Sequence, residues 1–249
     1  MAAPALLEVA VHHAQDVAGA QEGGADRLAL IAPGETAGLS PDLAAASAVL
    51  RATDLPVRVM LRLNDGYTTT GGEFTRLVGL AEEYVGLGAE GVVFGFLDSD
   101  LEVDVETCAA LAQALPGVPW TFHRAIDATL DLRRSWRRVR SLPGLTAVRS
   151  GGSPQGLSHG YDDLLDLATG DADIARLLMP SGGLLAEQVP WFRRTGVSQF
   201  HVGVQVRPGA TYKSYVDADF VRSWRRLLDP PSGTAGTVGT VGPAGTAGA

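Results

Sequence analysis

The sequence is poor in several residue types, and each shortage argues against a class of protein. Cys108 is the only cysteine among 249 residues, so no disulfide can form within the chain, which suits a reducing compartment. Lys213 is the only lysine, and it follows the last predicted strand, so an aldolase with an imine-forming lysine inside a strand is not expected. The chain also lacks an apolar run of the roughly 20 residues that span a bilayer, so no membrane partner is expected.

Charge and short motifs exclude further classes. The formal net charge is −8, whereas nucleic-acid binding rewards clustered lysine and arginine, so nucleic acid is not expected as a partner. The five histidines show no HExxH spacing, and no GxGxxG motif follows the first strand. The opening segment MAAPALLEVAVHH has no lysine or arginine, unlike a secretion signal, and we therefore expect a cytoplasmic protein.

Short strand-like runs alternate with helical patterns along most of the chain. Most of the runs are continuously apolar, as expected for parallel strands that are buried on both faces. Eight such units predict an α/β fold, a single-domain (β/α)8 TIM barrel over residues 1–229. An open doubly wound sheet is the alternative. The predicted strands are 6–11, 27–31, 57–61, 91–95, 120–123, 147–150, 176–179 and 200–203.

Helical patterns fill the intervals between the strands. Cys108 falls on the apolar stripe of the fourth helix, which indicates core packing. Residues 230–249 are rich in Gly, Pro, Thr and Ala, and we predict a disordered tail because they hold too little apolar surface to offset the entropy of ordering. The predicted helices are 14–23, 41–52, 72–87, 104–115, 131–141, 160–169, 185–195 and 216–228.

Polar residues at the carboxyl ends of the strands are the candidates for function, because these ends and the loops that follow build the active site of such a barrel. No metal ligands are predicted. The candidates for catalysis are Glu8, Arg62, His123 and Asp127. The candidates for binding substrate or an anion are Arg27, Asp98, Arg124, Ser150, Gly151, Ser181, Gly182, Gly183 and His201.

Glu8 stands out because it interrupts an apolar strand. A buried charge is costly unless it is paired, so we expect a cationic or hydrogen-bonding partner, and Arg62 is the candidate. An ion pair that only ties strands together is the alternative to a functional role.

Three chemistry-bearing residues lie in FHRAID at the end of the fifth strand. His123 is suited to acid or base chemistry near neutral pH or to metal binding, Arg124 to holding an anion, and Asp127 to orienting either of them.

The sequence Ser-Gly-Gly occurs at 150–152 and again at 181–183. Glycines let the backbone approach a ligand closely, and the second turn is predicted to lead directly into the seventh helix, whose amino-terminal amides would bind an anion. Ordinary turn geometry is the alternative, since glycine is the usual residue where φ is positive.

Several of these segments together resemble the CutC-type copper homeostasis proteins. The matching elements are LLEV at 6–9, GGADRL at 23–28, GLSPDL at 38–43, Arg62, GFLDSD at 95–100, TFHRAID at 121–127 and the first Ser-Gly-Gly. The resemblance implies a cytoplasmic barrel linked to copper handling, often oligomeric, with a polar pocket that looks like an enzyme site. The residues that match the family's pattern are Glu8, Arg27, Arg62, Asp98, His123, Arg124, Asp127, Ser150 and Gly151.

The chain also departs from the family's pattern. A threonine usually stands at the position of Arg149, and the cysteines proposed as copper ligands in some relatives are missing from the first two strands. Copper(I) favours thiolate and thioether ligands, which this chain offers only at Cys108, Met1, Met60 and Met179. Copper is thus a candidate cofactor through the resemblance alone.

Three functions remain open at this point. The first is copper homeostasis, with or without direct copper binding. The second is a lyase, isomerase or hydrolase that acts on a small anionic metabolite, held by Arg62 and Arg124, with Glu8 or His123 moving a proton. The third is a non-catalytic barrel used for protein contacts. If Glu8, Arg62, His123 and Asp127 do not converge on one pocket, the enzyme hypothesis loses its main support.

Overall fold

Eight parallel strands build the centre of the molecule. The computed structural model describes residues 4–33 and 38–229, so the predicted tail at 230–249 lies outside the described residues. The strands are β1 Leu6–Val11, β2 Arg27–Leu30, β3 Val57–Met60, β4 Gly91–Phe94, β5 Trp120–Phe122, β6 Leu145–Ser150, β7 Leu178–Pro180 and β8 Gln199–Val202.

The strands form one sheet that curls into a barrel. Their order is β7-β6-β5-β4-β3-β2-β1-β8, and all neighbours pair in parallel. The two end strands, β7 and β8, lie side by side, which brings the sheet to near closure. The predicted (β/α)8 barrel is therefore confirmed, and the open doubly wound sheet is excluded. All eight carboxyl ends open onto one face of the barrel.

Helices surround the sheet, and aspartates begin many of them. The side chains of Asp42, Asp104, Asp131, Asp171 and Asp217 accept hydrogen bonds from amides of the first helical turn, which satisfies donors that have no partner inside the helix. The helices are α1 Ala14–Glu22, α2 Leu43–Leu50, α3 Gly71–Gly86, α4 Val105–Ala114, α5 Leu132–Val139, α6 Leu157–Gly170, α7 Ala172–Leu177, α8 Val189–Arg194 and α9 Ala218–Leu228.

The apolar core lies between the sheet and the helices. Trp120 of β5 stacks on Phe94 of β4 with ring centroids 4.0 Å apart, and both side chains are buried. Cys108 of α4 is fully buried in this core, which confirms its predicted packing role. No helix in the described part of the chain is long and apolar enough to cross a membrane.

The structure corrects three boundaries that matter for the site. Residues 176 and 177, predicted to begin the seventh strand, belong to helix α7. β5 ends at Phe122, and His123 caps a 3-10 helix, Arg124–Ala128. The helix predicted at 185–195 after the second Ser-Gly-Gly turn begins as a 3-10 helix, Ala186–Gln188, and continues as α8, Val189–Arg194.

Candidate functional site

Glu8 is the centre of a buried charge cluster inside the barrel. Its Oε2 atom accepts a hydrogen bond from Nε of Arg27 at 2.6 Å. Its Oε1 atom accepts from Nε and Nη2 of Arg149 at 2.9 and 2.5 Å and lies 2.8 Å from Nδ1 of His201. Four strands contribute to this cluster, because β1 pairs with both β2 and β8 while Arg149 reaches across from β6.

The cluster carries an excess of positive charge. Burial by itself raises the pKa of Glu8, but Arg149 and Arg27 hold it well below its ordinary value, so Glu8 is ionised. Burial also lowers the pKa of Arg149, and the Glu8 carboxylate opposes that shift. One carboxylate thus faces two guanidinium groups, and Nη2 of Arg27 has no hydrogen-bond partner among the described residues.

The predicted pairing of Glu8 with Arg62 is wrong. Arg62 follows β3, and its guanidinium donates hydrogen bonds to the carbonyl oxygens of Asp65 and Gly66. It also lies over the ring of Tyr67, 4.8 Å from the centroid. Arg62 therefore shapes its own loop above the cluster, whereas arginines from β2 and β6 neutralise Glu8.

His123 has a defined tautomer. Its Nδ1 atom accepts a hydrogen bond from the amide of Ala125 at 3.1 Å, so Nε2 carries the proton. Burial and the nearby Arg62 lower the pKa of His123 from 6.5 to about 3, which keeps the imidazole neutral at physiological pH.

His201 has the opposite tautomer. Because Glu8 is ionised, Nδ1 of His201 donates to it, and Nε2 is left with a lone pair. Nε2 makes no hydrogen bond within the described part of the chain. Burial and Arg149 lower the pKa of His201 from 6.5 to about 4. The two histidines are therefore both neutral, one donating at Nε2 and the other accepting there.

The carboxylate of Asp127 accepts hydrogen bonds from the first Ser-Gly-Gly turn. It accepts from Oγ of Ser150 at 2.6 Å and from the amides of Gly151 and Gly152 at 2.9 and 3.2 Å. Nε of Arg124 adds an ion pair at 2.7 Å. Burial raises the pKa of Asp127, and Arg124, Ser150 and the amide of Gly151 oppose that shift.

The first turn is thus occupied by a carboxylate of the protein itself. Ser150 and Gly151, predicted to bind an anion, bind that of Asp127 and tie the loop after β5 to the loop after β6. Asp98 also lies away from the pocket: its Oδ1 accepts from the amides of Asp100 and Glu102 and closes a turn after β4.

The second Ser-Gly-Gly turn does reach the pocket. Ser181 is 1% exposed, and its Oγ atom has no hydrogen-bond partner in the part of the chain that the structure describes. Gly182 and Gly183 have φ values of 79° and 91°, a region that favours glycine. Turn geometry thus explains both glycines, while the unpaired hydroxyl of Ser181 points to a ligand.

A cavity of about 190 Å³ opens at the carboxyl ends of the strands. Its wall includes three arginines and both neutral histidines, and no carboxylate lines it among the described residues. Of the four predicted catalytic residues, Arg62 and His123 line this cavity, whereas Glu8 lies beneath it, linked to it by Arg149 and His201, and Asp127 lies behind Arg124. The expected convergence of all four on one pocket is therefore not found. The lining residues are Ile31, Met60, Arg62, Tyr67, His123, Arg124, Ala125, Arg149, Ser181, Gly182, Gly183, His201, Gly203, Val204, Gln205 and Tyr212.

The loop after β8 forms one wall of this cavity. Arg207 pairs with both carboxylate oxygens of Asp16 in α1, at 2.9 and 3.0 Å, and the amide of Val216 donates to the same carboxylate at 3.1 Å. Asp16 thereby holds both ends of the loop that carries Tyr212. A Cβ atom at Gly203 would lie 2.4 Å from the Tyr212 hydroxyl, so a larger residue here would force the Tyr212 side chain to shift.

Sequence reasoning missed Arg149 and Tyr212 as site residues. The signal for Arg149 was available, since it interrupts an apolar strand as Glu8 does. Tyr212 lies in a loop after β8, where a single sequence carries no signal of which aromatic residue turns inward.

The residues present do not fit a copper(I) site. No group of three or more His, Cys, Asp or Glu side chains is placed to hold a metal within residues 4–33 and 38–229. Among the described residues, Met60 is the one sulfur-bearing side chain that lines the cavity, whereas Cys108 is buried in α4 with a thiol pKa raised by burial to about 12. Copper(I) prefers several soft ligands together, which these residues do not provide.

Comparisons with known proteins agree with this barrel. A model of the CutC family matches residues 5–206. The CutC family protein of Xylella fastidiosa is 33% identical over 244 residues, which cover 92% of this chain and 90% of that protein. A CutC family protein of Klebsiella pneumoniae is 29% identical over 231 residues, which cover 88% and 92%.

Solved structures support the fold. CutC of Streptococcus agalactiae, whose suggested role is copper homeostasis, superposes with a TM-score of 0.69 at 24% identity, covering 80% of this chain and 98% of that one. Phosphoribosylanthranilate isomerase of Thermotoga maritima gives 0.62 at 12% identity, covering 90% and 98%. Since the family model spans most of the barrel and a relative at 33% identity aligns along it, this chain belongs to the CutC family.

Proposed function

We propose that this protein is an enzyme that binds and transforms a small anionic metabolite at the carboxyl face of its barrel. The observation that carries the proposal is the charge imbalance beneath the cavity, where Arg27 and Arg149 share the single carboxylate of Glu8. A buried excess charge is costly, and an anion against Arg149 would offset it.

Other groups of the cavity fit the same ligand. The buried hydroxyl of Ser181 needs a partner, and barrels of this type often hold a phosphate near the loops after the seventh and eighth strands. The cavity volume of about 190 Å³ lies below the range of about 300 Å³ or more that drug-sized ligands occupy, so the ligand is small.

The test is thermal stabilisation by inorganic phosphate and by a panel of small phosphorylated and carboxylated metabolites. A ligand at 100 times its dissociation constant adds about 2.7 kcal/mol to the free energy of unfolding. Arg149→Met and Ser181→Ala should lose this stabilisation, and Arg149→Met should still fold because Glu8 keeps Arg27 and His201.

A matched control is Arg134→Gln, which removes a largely exposed arginine of α5. This variant should respond to anions like the wild type. Absence of stabilisation across the panel would refute anion binding, and stabilisation that survives Arg149→Met would refute its location.

Copper homeostasis is the second candidate, and family membership is the observation that favours it. Met60 is the one sulfur-bearing side chain among the described residues that line the cavity. We therefore propose that the protein serves copper homeostasis by acting on a metabolite, without holding a copper ion itself. Titration of the purified protein with copper, alongside Met60→Leu, Met179→Leu and Cys108→Ala, is the test. If the wild type binds micromolar copper and one of these variants does not, the protein coordinates copper directly through the substituted residue.

The cytoplasmic location and self-association implied by the family remain proposals. Cell fractionation tests the first, and light scattering of the purified protein tests the second. A barrel used only for protein contacts is the less favoured candidate, because it would give no role to a polar cavity that contains the buried hydroxyl of Ser181.

A further inference from the structure

The geometry points to a proton-transfer site in which Nε2 of His201 removes a proton and Nε2–H of His123 donates a hydrogen bond to the oxygen that becomes negative. This inference rests on the proposed function, and it names the substrate class: a small anionic carbonyl compound with a hydrogen on the carbon next to the carbonyl. His201 and His123 are then the catalytic residues.

The Glu8 carboxylate orients His201 as a base and raises its pKa, against the larger lowering by burial and by Arg149. Nδ1 of His201 lies 2.8 Å from Oε1 of Glu8, so the proton of the neutral ring is fixed on Nδ1 and the lone pair on Nε2. The same carboxylate stabilises the imidazolium that forms after proton removal, as the aspartate does in a Ser-His-Asp triad. Glu8 is therefore a positioning residue, since it acts through His201.

His123 has the properties of a donor. The amide of Ala125 occupies Nδ1 and leaves the proton on Nε2, and the ring lines the same cavity as His201. A neutral imidazole can polarise a carbonyl without giving up a full proton. Because the two tautomers are opposite and each is fixed by a hydrogen bond, the two rings take different roles.

Arg149 connects the two histidines electrostatically. Its positive charge lowers the pKa of both His123 and His201 in the absence of a ligand. A bound anion would partly cancel that charge and make His201 a stronger base. Proton removal is thereby favoured when substrate is present.

The step balances without an added oxidant or metal. The bond between hydrogen and the carbon next to the carbonyl breaks, and the proton goes to Nε2 of His201. The electron pair forms a carbon–carbon double bond, while the carbonyl oxygen becomes an oxyanion that accepts the Nε2–H hydrogen bond of His123. When the carbon that lost the proton carries a hydroxyl group, the hydroxyl proton passes to the oxyanion, and the proton held by His201 returns to the former carbonyl carbon, which completes an isomerisation. When the next carbon carries a leaving group, the oxyanion re-forms the carbonyl, a new carbon–carbon double bond forms and the leaving group departs, which completes an elimination.

The experiment is hydrogen exchange in D2O, followed by proton NMR, on 2-oxo acids and phosphorylated ketoses that stabilise the protein thermally. The wild type should exchange the hydrogen next to the carbonyl, and His201→Gln should lower the rate by about 100-fold or more while keeping the thermal stabilisation. His159→Gln removes an exposed histidine and should leave the rate unchanged.

The outcomes separate this inference from the proposed function. If no compound stabilises the protein, the proposed function fails. If compounds stabilise it but the wild type exchanges none of them, or if exchange survives His201→Gln, the proton-transfer inference fails and anion binding stands.

Nitrogen-15 NMR of the imidazoles gives a test that needs no substrate. We expect a protonated Nδ1 and an unprotonated Nε2 for His201, and the reverse for His123. Glu8→Asp keeps the charge but shortens the side chain, so it should shift the tautomer of His201 and not that of His123. A protonated Nε2 on His201 in the wild type would overturn the assignment.

Discussion

Arg149 and Glu8, separated by 141 positions in the chain, share two hydrogen bonds inside the barrel, at 2.9 and 2.5 Å. The side chains are 4% and 0% exposed, so bulk water solvates neither charge appreciably. Arg27 and His201 complete the surroundings of the carboxylate. The barrel thus contains an ionic centre where most barrels of this fold have branched apolar residues.

Loss of the Glu8 charge should destabilise the protein strongly. Glu8→Gln leaves two buried guanidinium groups without a counter-charge, and breaking a buried ion pair in this way costs about 3–5 kcal/mol. Urea unfolding followed by circular dichroism measures the loss. The double variant with Arg149→Met should recover part of it, because one of the unpaired charges is removed.

The matched control is Glu102→Gln, which removes a carboxylate that also faces two arginines, Arg134 and Arg138 of α5. These arginine side chains are 57% and 33% exposed, so the loss should stay below about 1 kcal/mol. Equal losses for the two variants would show that the Glu8 centre is no more important than a surface pair.

Asp127→Asn should loosen the loops after β5 and β6. The amide group of asparagine presents hydrogens to donors that now bind a carboxylate, so we expect a loss of about 2–3 kcal/mol in urea unfolding. Asp98→Asn is the control, because Oδ1 of asparagine keeps both hydrogen bonds of its turn. If Asp98→Asn were as destabilising as Asp127→Asn, the special role given to Asp127 would be wrong.

Asp16 should control the opening of the loop after β8. Lys213 is the only lysine of the chain and lies exposed in this loop, so a lysine-specific protease reports on the loop alone. Asp16→Asn weakens the paired contact with Arg207, and cleavage should accelerate by about tenfold or more, equivalent to about 1.4 kcal/mol of opening free energy. Asp219→Asn, on the surface of α9, should not change the rate.

Stability should fall between pH 7 and pH 5. His123 and His201 stay neutral in the folded protein, with pKa values of about 3 and about 4, but protonate in the unfolded chain near 6.5. Acidification below 6.5 therefore favours the unfolded state, by about 2 kcal/mol for each histidine at pH 5. The lowered pKa values of Glu8 and Asp16 act only below their ordinary values of 4.5 and 3.8, outside this range.

Urea unfolding at pH 7 and pH 5 measures this effect. His123→Gln should reduce the fall by about 2 kcal/mol, whereas His159→Gln, at an exposed position, should leave it unchanged. A wild-type free energy of unfolding that is constant from pH 7 to pH 5 would contradict the depressed pKa values.

Much of the fold was predictable because it follows from local patterns. Parallel strands buried on both faces are continuously apolar, and eight such runs stand out in this chain. The strand at 176–179 was partly misplaced because Leu177 is equally suited to a buried strand and to the end of α7. The helical pattern at 185–195 does not reveal that its first turn is a 3-10 helix, because a short 3-10 helix has no distinct sequence pattern.

Some of the residues that line the cavity could be named from the sequence, but their pairings could not. Arg62, His123, Arg124 and the second Ser-Gly-Gly turn do line the cavity, as their positions after strands indicated. Ser150 and Gly151 lie at the end of β6 as predicted, but their hydrogen-bond donors bind the carboxylate of Asp127. No local pattern distinguishes a donor that faces a substrate from one that faces the protein's own carboxylate.

The sequence by itself determined the barrel, the face that carries its polar residues, and the need of Glu8 for a partner. These properties follow from hydrophobic periodicity and from the cost of burying a charge, both of which act locally. Only the tertiary structure decided that Arg27, Arg149 and His201 meet Glu8, since closure of the sheet brings four strands around one point. That convergence fixes the tautomer of His201 and leaves an excess positive charge beneath the cavity.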